Sequence, residues 1–153
     1  MVAWRQVETE APEFAAQVRR RFDAGLNKTM ATLRADGSPR ISGTEIEFED
    51  GRITLGMMPE SQKLRDIRRD PRVAIHSPTL EPPKGQLSDW PGDAKVAGRL
   101  LEFERAEAPG YPPGAYFEVD VTEAVLTYMD ETRTRLVIES WHDGRGWRKQ
   151  SRT

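Results

Sequence analysis

Two of the chain's three Asp-Gly dipeptides, Asp36-Gly37 and Asp50-Gly51, each fall between short runs of alternating, β-rich residues, and this constrains the fold more than any other feature of the chain. Asp-Gly readily supplies the positive-φ positions that a tight antiparallel hairpin requires. The runs Met30 to Leu33, Arg40 to Phe48 and Ile53 to Met57 are therefore expected to follow one another as a meander. Val73 to His76, Lys95 to Phe103, Tyr116 to Tyr128 and Arg135 to Trp141 have the same character. Six to seven strands joined mostly by hairpins predict a mainly β architecture, an antiparallel β-barrel with short helices rather than a doubly wound sheet.

Two segments read as helices. From Pro12 to Asp23, Phe14, Val18 and Phe22 recur every fourth residue, with Pro12 in the first turn and Gly25 just past the end. Arg19, Arg20 and Arg21 form a solvated face of this helix or a docking face for an acidic partner. A second, shorter helix spans Ser61 to Arg69, with Leu64 and Ile67 facing inward, and is closed by Asp70-Pro71. Ser77 to Asp93 holds too many prolines and glycines for regular structure and reads as a long loop, the kind that forms lids or binding segments. The basic tail after Gly146 is expected to fray unless Trp147 docks it.

At 153 residues the chain suits a single domain, 1–153. Hydrophobic residues make up 37% and charged residues 31%, which fits a globular protein with a well-solvated surface. The formal net charge of -2 gives no source for the counterion-release affinity of a basic nucleic-acid binder, so no nucleic acid is expected. With no cysteine and two histidines, His76 and His142, the chain can form no thiolate zinc site, no iron-sulfur cluster and no cysteine nucleophile. The first residues lack the apolar region of a signal peptide and no stretch is long and apolar enough to cross a bilayer, so a cytoplasmic protein with no membrane partner is expected.

Chemistry concentrates in Gly56-Met57-Met58-Pro59-Glu60-Ser61-Gln62-Lys63, which passes from a strand end into a helix start. Helix N-termini present unpaired N–H groups to anions. Ser61 can cap the helix and turn its hydroxyl to a phosphate oxygen, and Lys63 adds a full charge where the helix dipole opposes one. The plain alternative is a capping serine beside a solvated lysine. Arg40 opens the second strand, taken as adjacent to the one feeding Ser61, and either converges on the same oxygens or forms a surface cross-strand pair. Ser42, Gly43 and Thr44 keep the middle of that strand small and polar, suited to a flat ring lying against the backbone, or else to a bulge. Met57 and Met58 either line the pocket or fill core gaps.

The order ATLRADGSPRISG, then a hairpin, then SQKLRDIRRDPRVAI resembles the pyridoxamine 5'-phosphate oxidase-like superfamily, including its flavin/deazaflavin oxidoreductase branch. The likeness covers about Met30 to Ile75, and FEVDVTEAVLTYM is similar to a late barrel strand of that branch. The resemblance implies an FMN-binding split barrel, a homodimer with cofactor sites at the interface, and hydride transfer to or from a small-molecule substrate. FMN is the first cofactor implied and the deazaflavin coenzyme the second. The family's Ser-Arg-Lys turn and second-strand arginine correspond here to Ser61, Gln62, Lys63 and Arg40. Gln62 thus replaces an arginine. The histidine of the C-terminal element that grips pyridoxal in the vitamin B6 oxidases is missing, which points away from that reaction. Ser42, Gly43, Thr44 and Met58 would flank the ring, and Trp90 in the long loop, with Trp141 or Trp147 near the C-terminus, could complete the site from a partner subunit or simply pack. The alternative to an oxidoreductase is a non-catalytic protein that holds a flavin, haem or another planar anion.

Overall fold

The computed structural model describes residues 1–153. Nine antiparallel strands and three helices follow in the order α1 (Trp4–Glu10), α2 (Pro12–Phe22), β1 (Lys28–Leu33), β2 (Pro39–Thr44), β3 (Glu47–Glu49), β4 (Arg52–Met57), α3 (Gln62–Arg69), β5 (Arg72–His76), β6 (Asp93–Phe103), β7 (Ala115–Met129), β8 (Leu136–His142) and β9 (Gly146–Arg152). Both Asp-Gly hairpins form. Gly37 has φ 85°, and Asp50 and Gly51 have φ 50° and 72°, the pair of left-handed residues that closes β3 onto β4.

The strand order is β2-β1-β5-β6-β7-β4-β3, with β8 and β9 added along β7. The sheet is therefore a split barrel whose path ends at β2 on one side and β3 on the other. This corrects the expected meander. Arg40 to Phe48 is two strands, because β2 stops at Thr44 and Glu47–Glu49 pairs with β4 instead. β2 pairs with β1 alone, so the strand carrying Arg40 is not a neighbour of the strand that feeds Ser61. The two face each other across the open end of the sheet.

β7 is long enough to serve two neighbours besides β6: Ala115–Glu118 pairs with β4 and Glu123–Met129 with β8. The change comes at a bulge where the register with β6 shifts between Ala97 and Gly98. Gly98 is required there, since a Cβ on it would lie 1.9 Å from the Asp120 carbonyl oxygen.

Twenty-four buried apolar residues form one core cluster. Phe14, Val18 and Phe22 of α2 bury fully into it, as their spacing predicts. α1 lies outside the two helices expected from the sequence. Trp4 and Val7, one turn apart, seat it on the core, Phe48 meets the Trp4 ring edge-on with centroids 5.5 Å apart, and Pro12 forces the break from α2. Burying a side chain of that size contributes about 3 kcal/mol, enough to hold a seven-residue helix that would be unstable alone. β9 is the second element not foreseen: the tail pairs along all of β8, and the Trp147 indole N–H donates to Glu139 at 2.9 Å. The long loop holds only a single 3-10 turn, Leu87–Asp89. No helix is long and apolar enough to cross a membrane.

Candidate functional site

The open end of the barrel forms a groove of about 640 Å³. β2 makes one wall. The end of β4 and the first turn of α3 make the other. Arg40, Ser42, Gly43, Thr44, Met58, Ser61, Gln62 and Lys63 all line it. Trp90, Trp141 and Trp147 do not: Trp90 follows the 3-10 turn within the long loop, Trp141 is buried in the core and Trp147 lies on the β8-β9 hairpin.

Ser61 caps α3, its Oγ accepting from the Leu64 N–H at 3.3 Å. The cap uses the oxygen as an acceptor, so the hydroxyl hydrogen stays free to donate. Lys63 reaches across the groove and donates from Nζ to the Gly43 carbonyl at 2.8 Å. That bond spends one of three N–H groups, and no carboxylate pairs with the ammonium. Burial pushes the Lys63 pKa below the usual lysine value. An anion beside it would reverse that.

Arg40 is held from behind. Its Nε donates to Asp66 Oδ2 at 2.7 Å, an oxygen that also accepts from Thr32 Oγ1 at 2.8 Å, while Arg69 donates to Oδ1 at 3.1 Å. Thr32 and Arg40 are direct cross-strand partners, so one carboxylate ties α3 to both strands of the first hairpin. Burial alone would raise the Asp66 pKa, but the hydrogen bonds from Arg40, Thr32 and Arg69 outweigh it and hold the carboxyl below the usual range. With Nε engaged, the guanidinium is fixed in direction and its Nη groups have no protein partner.

Gly43 sits on the free edge of β2. Its carbonyl points away from β1, toward Lys63, and in an antiparallel strand its N–H faces the same way. A Cβ built on Gly43 would meet nothing within 4 Å, so the backbone is open to a flat group. Thr44 is buried and Ser42 half-buried beside it.

The sequence reading missed Arg34 and Asn27, which add a further cation and an amide to the groove, and Asp66, which orients Arg40. Asp66 had a legible signal, since it lies on the inward face with Leu64 and Ile67, where a carboxylate needs a cation. The groove thus holds three cations, Arg34, Arg40 and Lys63, against one carboxylate, Glu45. Of the three, Arg40 is already paired with Asp66 behind the wall.

No protein-family model matches the chain, and no curated protein matches it in sequence. Solved structures do match its fold. A pyridoxamine 5'-phosphate oxidase-related, FMN-binding protein from Nostoc punctiforme superposes with a TM-score of 0.61 at 12% identity, over 94% of this chain and 96% of that one. PhzG from Burkholderia lata 383, in complex with tetrahydrophenazine-1-carboxylic acid, gives 0.64 at 11% identity, over 97% and 92%. An F420 reductase gives 0.52 at 17% identity, over 69% and 94%. The fold is the split β-barrel that these structures share.

Proposed function

We propose that the groove holds the phosphate-bearing tail and ring of a flavin-type cofactor, FMN first and the deazaflavin coenzyme second, and that the protein is an oxidoreductase acting on a small molecule. The observation that carries this is the convergence on one groove of Lys63, which no carboxylate pairs, the free Nη groups of Arg40, whose Nε is held by Asp66, and the Ser61 hydroxyl. These three would take the phosphate, with Arg34 and Gln62 beside them. The open backbone at Gly43, with Ser42, Thr44 and Met58, would take the ring. When bound, the ring supplies the hydride chemistry; the protein supplies binding, orientation and electrostatics. The neighbours that bind FMN or are called an F420 reductase support the reading through the shared fold.

A homodimer is part of the proposal. Its motive is that Leu26, Ile41 and Met58 are 66%, 75% and 78% exposed around the groove and the cavity beside it. A second copy laid over this face would cover them and could bring Trp90 or Trp147 to the neighbouring groove. The test is an absorbance and fluorescence titration of the dialysed protein with FMN and, separately, with the deazaflavin coenzyme. Saturation at one site per chain supports the assignment, and binding of neither refutes it. Bleaching of the bound ring by a reduced nicotinamide donor separates turnover from retention alone.

A further inference from the structure

A second cavity, of about 310 Å³, adjoins the groove and shares Glu45, Gly56, Met57 and Met58 with it. Its floor is the outward face of β4, at Thr54 and Gly56. Its far wall is the turn leading into β7, residues 110–114. That wall is fixed on three sides. The Tyr111 hydroxyl donates to Glu47 Oε2 at 3.0 Å, the Tyr116 hydroxyl donates to the Pro112 carbonyl at 2.5 Å, and the two rings meet edge to face at 6.1 Å. Gly56 must be glycine, because a Cβ there would lie 2.8 Å from the Tyr116 ring. The cavity is therefore narrow, aromatic and already shaped.

Three ionisable side chains other than tyrosine line it: Glu45, Glu47 and Arg105. Arg105 is already neutralised. It pairs with Glu49, and its guanidinium lies 4.2 to 5.5 Å from the ring centres of Phe103, Tyr111 and Tyr116. Glu47 has no cation partner and accepts only from Tyr111, while the Glu45 side chain has no hydrogen bond or ion pair at all. The hydrogen bond to Glu47 and its nearby charge push the Tyr111 pKa up, so the phenol stays neutral. What remains is a cavity walled by Tyr111 and Tyr116 and lined by two exposed carboxylates that form no ion pair, Glu45 and Glu47, the latter in the field of Arg105. The neighbouring groove carries the opposite sign.

We propose that this cavity binds a flat or short apolar molecule bearing a protonated amine, with the ammonium between Glu45 and Glu47 and the body against Tyr111, Tyr116 and Met58. That an amine binds here follows from the cavity itself; that this amine is the substrate rests on the cofactor reading of the adjoining groove.

The experiment is calorimetric titration of the full-length protein, with and without FMN, using three matched probes: phenethylamine, 2-phenylethanol and 3-phenylpropionate. The expected order is amine, then alcohol, then acid. Glu45→Gln and Glu47→Gln should each weaken the amine about two- to fivefold, the range for a partly exposed ion pair, and leave the alcohol unchanged. The amide of Gln at 47 still accepts from Tyr111, so the wall stays in place. Raising salt to about 0.5 M should erase most of the amine's advantage. Equal binding of amine and alcohol, tightest binding of the acid, or no binding of any probe overturns the proposal. Lys63→Ala keeps the two readings apart, since it should weaken FMN binding about tenfold or more and leave amine binding to the cofactor-free protein intact.

Discussion

Removing the Asp66 carboxylate should be among the most destabilising surface-proximal changes in the chain, and the structure sets its size. The side chain is 3% exposed and receives three hydrogen bonds, two of them from arginines. Breaking a buried ion pair from one side costs about 3–5 kcal/mol. Here Arg40 is 24% and Arg69 41% exposed, so both recover some hydration, which lowers the expectation for Asp66→Ala to about 2–4 kcal/mol. With a urea m-value of about 2 kcal/mol/M that is a fall in unfolding midpoint of roughly 1–2 M. Asp66→Asn keeps shape and one acceptor and should lose about half as much. The pH dependence follows from the depressed pKa. The folded carboxyl titrates below its unfolded value of about 3.9, so its contribution is complete above that value and is lost as pH falls through the folded one. Wild type and Asp66→Asn should therefore converge in stability only below about pH 4. A midpoint for Asp66→Ala within about 0.3 M of wild type, or acid limbs that run parallel down to pH 2, would refute the reasoning.

Three further substitutions test the site and its frame. Lys63→Ala should weaken FMN binding about tenfold or more, the worth of a charge-assisted hydrogen bond, with the thermal midpoint little changed; unchanged affinity by fluorescence quenching would remove Lys63 from the site. Gly56→Ala should cost about 1–3 kcal/mol in chemical denaturation, because the new methyl meets the Tyr116 ring at 2.8 Å, and it should constrict the second cavity; a neutral effect would mean the ring moves freely. Trp147→Phe removes the indole donor to the buried Glu139 and should speed proteolysis of the C-terminal strand, with a loss of about 1 kcal/mol; a tail as resistant as wild type would show that pairing with β8 suffices.

Local chemistry was legible where a few consecutive residues determine the outcome. Asp50-Gly51 and Asp36-Gly37 announce their turns, Phe14, Val18 and Phe22 announce a helix face, and Ser61 announces a cap. The eight groove residues named from β2 and the turn before α3 were found because both walls are short segments with their own signals. Partners far apart in sequence were not legible. Arg105 meets Glu49 across 56 residues, and Tyr111 meets Glu47 across 64, through the path by which β7 returns beside β4. No local pattern encodes such a return. The division of Arg40 to Phe48 into two strands failed for a related reason: alternation persists through Glu45 and Ile46, and only the change of partner from β1 to β4 breaks it. β9 was missed because its burial pattern is almost wholly exposed, so nothing apolar marks it as a strand.

The two ends of the sheet path leave β2 with one hydrogen-bonded neighbour, and this has a consequence for exchange with solvent. Opening β2 disrupts a single ladder, so its amides bonded to β1 should exchange with deuterium through small local fluctuations and its outward amides, Gly43 among them, without any opening, while those of β6 and β7 wait for global unfolding. A molecule held by Lys63 on one side and Gly43 on the other would tie the loose strand to α3. The ligand's affinity would then be read out as slowed deuterium uptake confined to residues 39–44.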